Sequence, residues 1–168
     1  GREFQTVTLI ASALYGVFGI EDVIGRGVAV AFGLLGLIAF FQLVREVWDV
    51  RRAAVAAGCL AVLPISIFLD RSFLPDPAMV ALMVTSVWMF AVYLRTQSAS
   101  HLAVAACLAA WGSATKITGL ILVIPFGYLA WCSLRSNLTD WKQRMRPFLV
   151  FLAVWTLPVA AYYLWIWQ

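Results

Sequence analysis

The chain has 168 residues, of which 64% are hydrophobic and only 12% are charged. So few charges cannot cover the surface of a water-soluble domain of this length, and the composition therefore predicts a membrane protein. The 12 basic residues give a net charge of +4, but they are scattered between apolar runs instead of forming one face. This distribution argues against nucleic acid as a partner.

The first apolar stretch, residues 4–20, is short for a membrane span and has two distinct sides. Polar or small residues recur along it at helical spacing, opposite a row of apolar ones. This pattern favours a helix that lies in the membrane interface over one that crosses the bilayer. The polar side consists of Gln5, Thr8, Ser12, Gly16 and Gly19, and the apolar side of Val7, Ile10, Leu14 and Val17.

Six further apolar stretches approach the roughly 20 residues that a bilayer-spanning helix needs. We predict spans at about 27–44, 53–69, 77–94, 102–115, 117–134 and 147–167. The fourth is short, and it is included because the bilayer can thin locally or Lys116 can snorkel. The predicted fold is all-α and polytopic, a single membrane domain over 1–168 that we expect to be part of a longer protein. The isolated cysteines Cys59, Cys107 and Cys132 are predicted to be small core residues.

The basic residues predict the orientation of the chain, because Lys and Arg in short loops stay on the cytoplasmic side. Eight of the 12 basic residues fall on one side of the predicted topology, namely Arg45, Arg51, Arg52, Arg95, Arg135, Lys142, Arg144 and Arg146. The opposite, outer side carries Arg2, Arg26, Arg71 and Lys116 with Glu3, Glu21, Asp22, Asp70 and Asp76. Charges of both signs are therefore concentrated at the outer face.

The segment 70–77 between two predicted spans is the most informative in the chain. It places Asp70, Arg71 and Asp76 at the outer membrane surface, where ionisable groups often mark a functional site. A structural role is equally open, because Asp76 followed by Pro77 is typical of an N-cap with proline at the first helical position.

Two more outer cations are candidates for binding an anionic group. Lys116 interrupts a long apolar stretch within residues 112–119, where glycines and hydroxyl residues favour a helix break. Arg26 stands at the start of the first predicted span. Each could bind a lipid phosphate, or could simply anchor a helix end at the membrane surface.

The order of these features resembles the dolichyl-phosphate-mannose protein mannosyltransferase superfamily, including bacterial relatives such as the aminoarabinose transferases that modify lipid A. The resemblance covers roughly residues 3–134. It rests on Glu3-Phe4, Leu14-Tyr15-Gly16-Val17-Phe18-Gly19, Gly25-Arg26-Gly27, Arg71-Ser72-Phe73-Leu74-Pro75-Asp76 and Ala114-Thr115-Lys116.

The resemblance implies a C-type glycosyltransferase membrane core in the plasma membrane, in bacteria the inner membrane. A polyprenyl-phosphate-linked sugar would be attacked there by an acceptor, which could be a protein, lipid A or another glycan, at the extracytoplasmic surface. Asp76 and Glu3 are the candidate acidic catalytic residues, and Arg26, Arg71 and Lys116 the candidate contacts to the donor phosphate. Some relatives hold a divalent metal near the position of Glu3.

The principal acidic motif of the superfamily would precede Gly1, so we expect residues 1–168 alone to lack transferase activity. Two other classes of function remain open. A transporter or flippase would also carry charges along its substrate path, although such groups would be expected near span centres. A non-catalytic scaffold would use Asp76 as a helix cap and Arg26 and Lys116 as membrane anchors.

Overall fold

The computed structural model describes residues 4–64, 66–67, 74–135 and 141–167, and these are helical with short connections and no strand. An all-α fold is therefore confirmed for this part of the chain. The helices are α1 (Thr6–Phe18), α2 (Asp22–Val47), α3 (Val50–Val62), α4 (Asp76–Thr96), α5 (Ala99–Thr115), a 3-10 helix (Ile117–Leu122), α6 (Val123–Arg135) and α7 (Trp141–Trp167).

Helices α2, α4 and α5 form the centre of the bundle, and small residues lie where they meet. A Cβ atom built on Gly36 of α2 would lie 3.4 Å from the Cα of Ala81 in α4. The buried hydroxyl of Ser86 in α4 donates to the carbonyl of Ala105 in α5 over 2.6 Å. Close approach through small residues and interhelical hydrogen bonds is typical of helices that associate in lipid, where apolar burial alone gives little driving force.

One end of this bundle carries the two tight connections, α2 to α3 and α4 to α5. Asp49 caps α3 by accepting from the backbone N–H of Arg52 over 2.9 Å. Gln97 ends α4 in the left-handed region, with φ of 54°. Arg95 and Glu46 form an ion pair of 2.9 Å between α4 and α2. The sequence predicted that Arg52 and Arg95 lie on the same side of the membrane, and in the structure both lie at this end of the bundle.

The opposite end holds the start of α2, the start of α4 and the end of α5. Both ends of α1 also lie there. The backbone N–H of Phe4, just before α1, donates to the carbonyl of Ala114 at the end of α5 over 3.0 Å. Three residues, 19–21, join the other end of α1 to the start of α2. Helix α1 therefore begins and finishes at the same end of the bundle, and its 13 residues measure about 20 Å at 1.5 Å per residue.

The polar side predicted for 4–20 is exposed in α1, whereas the predicted apolar side is buried only in part, since Val17 at its end is 75% exposed. Gln5, Thr8, Ser12 and Gly16 are exposed, whereas Val7 and Ala11 are buried. Val7 packs against residues of α2 and α4. The placement of this helix in a membrane interface stays a prediction.

Large apolar side chains cover the outside of the bundle, as expected for a protein surrounded by lipid. Leu34, Leu149, Leu157 and Leu164 are examples, each exposed over more than half of its surface. Among the described residues, Asp22–Val47, Asp76–Thr96 and Met145–Trp167 are long and apolar enough to cross a membrane. The fold is that of a polytopic helical membrane protein, and the boundaries of the six predicted spans stay predictions.

The prediction that the three cysteines are core residues is wrong. Cys59, Cys107 and Cys132 are all free thiols on the exposed faces of their helices. The interior positions of these helices are taken by other residues, among them Ala53 in α3, Ala105 in α5 and Phe126 in α6. A thiol is weakly polar and is compatible with a lipid-facing position.

Candidate functional site

An ion pair between Asp76 and Lys116 lies at the end of the bundle that also holds both ends of α1. The ammonium Nζ of Lys116 donates to Oδ1 of Asp76 over 2.6 Å. The side chain of Lys116 is 31% exposed and that of Asp76 is 25% exposed, so the pair is half-buried but remains accessible. Forty residues separate the two in sequence, and the antiparallel packing of α4 and α5 brings them together.

The chain around Lys116 changes conformation as the sequence predicted. Helix α5 ends at Thr115, Lys116 is extended with φ of −154° and ψ of 129°, and a 3-10 helix begins at Ile117. The carbonyl of Lys116 accepts from the N–H of Gly119 over 2.8 Å, which closes the turn. An extended residue between two helices projects its side chain away from both helix axes, and here the side chain reaches the start of α4.

Gly119 is required because the 3-10 helix folds back onto the end of α5. A Cβ atom on Gly119 would lie 2.8 Å from the Cα and 3.1 Å from the backbone nitrogen of Ser113. These distances are too short for a side chain without movement of the backbone. The absence of a side chain thus sets the position of the turn that carries Lys116.

Buried hydrogen bonds connect this turn to α1. The hydroxyls of Thr6 and Thr115 lie 2.6 Å apart, and both residues are almost fully buried. The indole N–H of Trp111 donates to the hydroxyl of Thr6 over 3.0 Å. The hydroxyl of Thr115 also donates to the carbonyl of Trp111 over 3.0 Å. The start of α1 is therefore fixed beside the residue that precedes Lys116.

Helix α7 supports the same turn from another side. The indole N–H of Trp155 donates to the buried hydroxyl of Ser113 over 2.9 Å. The hydroxyl of Tyr163 donates to the carbonyl of Ser113 over 3.2 Å. The sequence alone does not indicate these partners, since hydroxyl and indole groups more than forty residues apart carry no local signal of contact.

A cavity of about 300 Å³ opens beside Asp76, between α2, α3 and α4. Its walls are apolar apart from the carboxylate of Asp76 and the hydroxyl of Ser66. Asp76 and Pro77 stand at the end of the cavity nearest the ion pair, and Val84 and Phe40 at its other end. The site thus combines a charged pair with an apolar recess.

Arg26 lies at the same end of the bundle but does not join the ion pair. It is exposed, and no hydrogen bond or ion pair links it to another described residue. It precedes Val30, Gly33 and Leu37 by four, seven and eleven residues, which places all four on one face of α2. Those three residues line the cavity beside Asp76, so Arg26 is about one turn outward of the cavity on the same face.

Two predicted site residues, Glu3 and Arg71, lie outside the described residues, as does Asp70. The role in metal binding predicted for Glu3 therefore stays a prediction. Within the described ranges, no group of three or more His, Cys, Asp and Glu residues could hold a metal ion.

The alternative that Asp76 is the N-cap of α4 is wrong. Pro75 occupies the N-cap position, Asp76 is the first helical residue, and no side-chain hydrogen bond caps this helix. The N–H of Met79 donates to the carbonyl of Pro75 over 3.0 Å, consistent with a helix that begins one residue earlier than the sequence pattern predicted. The carboxylate still lies favourably in the first turn, near the positive end of the helix dipole. Its hydrogen-bond partner is Lys116.

The fold and this site define a polytopic helical membrane protein with a charged pair at one end of the bundle. Comparison with protein families gives the identification: residues 6–165 match the dolichyl-phosphate-mannose-protein mannosyltransferase family, and the chain belongs to it. It is thus a member of a family of membrane glycosyltransferases. The match extends past residue 134, where the resemblance ended, and it begins at residue 6, after Glu3-Phe4. No curated protein and no solved structure was found to match the chain.

Proposed function

We propose that the chain forms part of the membrane core of a glycosyltransferase that takes a sugar from a polyprenyl-phosphate donor. The acceptor, a protein, lipid A or another glycan, would attack at the extracytoplasmic face. The observation that carries the proposal is the half-buried ion pair of Asp76 and Lys116 in a chain of this family.

The reaction explains why a cation belongs at this position. The acceptor oxygen or nitrogen forms a bond to the anomeric carbon, and the bond from that carbon to the phosphate oxygen breaks. The phosphate leaves with the bonding electrons and gains negative charge in the transition state, which a nearby ammonium stabilises. Lys116 is the described residue best placed to do so, and Arg71 is a further predicted cation.

Two roles are consistent with the position of Asp76. Its carboxylate holds the ammonium of Lys116 at the bundle end before the donor binds. It could also accept the proton that the acceptor loses, because a carboxylate within hydrogen-bond reach serves as a general base. Glu3 stays the second predicted acidic residue, and the divalent metal predicted near it would act as a Lewis acid on the phosphate.

The distribution of charge supports the extracytoplasmic placement of this end. Arg45, Arg51, Arg52 and Arg95 lie at or beside the α2–α3 and α4–α5 connections, at the end remote from Lys116. By the rule that basic loops remain in the cytoplasm, that end is the inner one. The ion pair then faces the outside of the plasma membrane, in bacteria the inner membrane, where lipid-linked sugars of this kind are consumed.

The alternatives receive less support from the described residues. A transport path would be expected to carry ionisable groups near helix centres, whereas Asp76, Lys116 and Arg26 all stand at helix ends. A scaffold that needed Asp76 only as a cap would show a capping hydrogen bond in α4, which the structure does not have. These observations favour chemistry at the membrane surface.

The test compares variants of the complete gene product, purified and reconstituted in lipid vesicles. Lys116→Met removes the ammonium and keeps an unbranched side chain, and Asp76→Asn removes the negative charge with little change in shape. Membranes that supply acceptors are added to the vesicles, and the initial rate of sugar transfer is measured for each of a panel of polyprenyl-phosphate sugars. Loss of one preorganised electrostatic contact typically lowers kcat by about 10²–10³, so we expect a loss of that order for Lys116→Met.

The matched controls are Glu46→Gln and Arg95→Gln, which break an ion pair of 2.9 Å between the same helix α4 and its neighbour at the opposite end. We expect these variants to transfer sugar within about twofold of the wild type, since this pair lies at the end of the bundle remote from Lys116 and Asp76. Transfer at the wild-type rate by Lys116→Met would overturn the proposed role of the ion pair. Directional transport of the lipid-linked sugar without transfer would support the flippase alternative instead.

A further inference from the structure

We propose that a groove between α6 and α7 binds an anionic phospholipid, with one acyl chain in the groove and the phosphate beside Arg135. The groove has a volume of about 300 Å³, at the small end of the range for ligand pockets. Its basic end is remote from the ion pair, because Phe90 in its wall lies fourteen residues along α4 from Asp76. Lipid binding there does not depend on the sugar transfer proposed above.

Aromatic side chains form the floor of the groove. Phe126 of α6 packs against Phe151 and Trp155 of α7, with ring centroids 4.7 and 5.4 Å apart. Phe90 of α4 closes the floor, with its ring centroid 4.9 Å from that of Phe151. Gly127 leaves the groove open, since a Cβ atom built there meets no atom within 4 Å. None of the lining residues is charged, so the groove suits a hydrocarbon chain.

The length of the groove fits a chain that enters from one membrane surface. Along α7 its lining extends from Met145 to Trp155, and along α6 from Val123 to Trp131. At 1.5 Å per residue these distances are about 15 and 12 Å, close to half of a hydrocarbon core of about 30 Å. Trp131 is 65% exposed at the end of the groove, as is typical of tryptophan at the level of lipid head groups.

Positive charge is concentrated at this end of the groove. Arg135 follows Gly127 and Trp131 by eight and four residues, which places the three on one side of α6. Arg135 and Arg146 are exposed, and neither forms an ion pair with another described residue. The basic residues predict that this end is cytoplasmic. Basic pockets between membrane helices on that side typically bind anionic lipid head groups.

The start of α7 favours an anion for a second reason. Lys142, Arg144 and Arg146 fall within its first six residues, and its first turn contains no acidic residue. Asp140, just before the helix, is the one acidic residue between 135 and 146. Cations at the positive end of a helix dipole are unfavourable by themselves, and a phosphate at this end offsets that repulsion.

An anionic phospholipid fits these features better than a sterol or a second copy of the chain. A sterol would fill the apolar groove but would leave the cations at its end without an anion. A second copy would have the same orientation in the membrane, so pairing through this groove would bring two basic ends together. An anionic head group attached to an acyl chain satisfies both parts of the site.

The experiment measures binding of defined phospholipids to the complete gene product in detergent, by native mass spectrometry and competition. Phosphatidylglycerol and phosphatidylcholine with identical acyl chains separate the effect of the head group from that of the chain. Gly127→Leu fills the groove. Gly58→Leu is the matched control, since both glycines are exposed, helical and open at the Cβ position. Arg135→Gln removes a cation at the groove, and Arg51→Gln removes an exposed arginine elsewhere on the same predicted side.

We expect phosphatidylglycerol to bind at least about fivefold more tightly than phosphatidylcholine, since one basic residue near the surface contributes about that factor. Arg135→Gln should weaken phosphatidylglycerol about fivefold and leave phosphatidylcholine unchanged. Gly127→Leu should weaken both lipids at least about tenfold, because added methyl and methylene groups overlap with the chain in an apolar pocket. Gly58→Leu and Arg51→Gln should leave the affinity for both lipids unchanged.

A photoreactive group midway along one acyl chain provides an independent measurement, with cross-links expected in α6 and α7. Equal affinity for the two lipids, equal effects of the two leucine variants, or cross-links confined to other helices would each overturn the proposal. So would displacement of phosphatidylglycerol by an equimolar uncharged sterol, or a lipid-free dimer that Gly127→Leu alone dissociates. If Gly127→Leu does not fold, the comparison of Arg135→Gln with Arg51→Gln and the cross-links decide the outcome.

Discussion

The substitution Gly119→Ala tests how the turn that carries Lys116 is positioned. The added Cβ would lie 2.8 Å from the Cα of Ser113, so either the 3-10 helix or the end of α5 must move. Overpacking against a rigid neighbour costs about 1–3 kcal/mol. Alanine also lowers the entropy of the unfolded chain, which returns about 0.4–1 kcal/mol. We therefore expect a net loss of roughly 0.5–2 kcal/mol in the free energy of unfolding.

The assay is thermal or denaturant unfolding of the complete gene product in detergent, followed by tryptophan fluorescence. Gly58→Ala in α3 is the matched control, because a Cβ built on Gly58 meets no atom within 4 Å. Alanine at such a helical position should stabilise by up to about 1 kcal/mol. The two substitutions are thus predicted to have opposite signs. If Gly119→Ala were as stabilising as Gly58→Ala, the close approach to Ser113 and its role in placing Lys116 would be wrong.

Two further substitutions test the buried hydrogen bonds around this turn. Trp155→Phe should lower the free energy of unfolding by about 1–3 kcal/mol, because the buried hydroxyl of Ser113 loses a donor at 2.9 Å. The control is Trp131→Phe, at a site 65% exposed, which should change the free energy of unfolding little. Thr6→Val should lower the free energy of unfolding by about 1–2 kcal/mol and alter the fluorescence of Trp111, whose indole N–H donates to the hydroxyl of Thr6. Unchanged stability would show that this contact does not fix α1.

The sequence was sufficient to predict the helical membrane fold, the position of Asp76 and Lys116 on the same side of it and the break at Lys116. Each of these is encoded locally, in the length of apolar runs, in the position of charges at their ends, or in the glycines and hydroxyl residues of 112–119. The topology that follows from the spans puts Asp76 and Lys116 on one side of the membrane, and the structure places them 2.6 Å apart. The contact itself was not predicted, because it depends on the packing of α4 against α5.

The errors have a common physical origin. The cysteines were predicted to be buried because they are apolar, but in a bundle surrounded by lipid the exterior is apolar as well. Hydrophobicity therefore does not distinguish the interior, which holds small residues such as Gly36 against Ala81 as well as large ones such as Trp155. Similarly, the Asp-Pro pattern predicted a cap, but a hydrogen-bonding partner distant in sequence, Lys116, engages the carboxylate instead. Local patterns indicate which residues can be buried or can cap a helix, and tertiary packing determines whether they do so.

The surroundings of Lys116 explain how a long, flexible side chain is held in one position at the end of the bundle. Its backbone is fixed by Gly119 on one side and by the Thr6–Thr115 contact on the other, while its ammonium is held by Asp76. In the proposed reaction, the charge is therefore in place before the donor binds, and little reorganisation would be needed when charge develops on the leaving group. The contacts that fix the backbone are buried, whereas the side chain of Lys116 is 31% exposed. Substitutions at Thr6 or Gly119 should therefore lower both the stability and the rate of sugar transfer. Lys116→Met should lower mainly the rate.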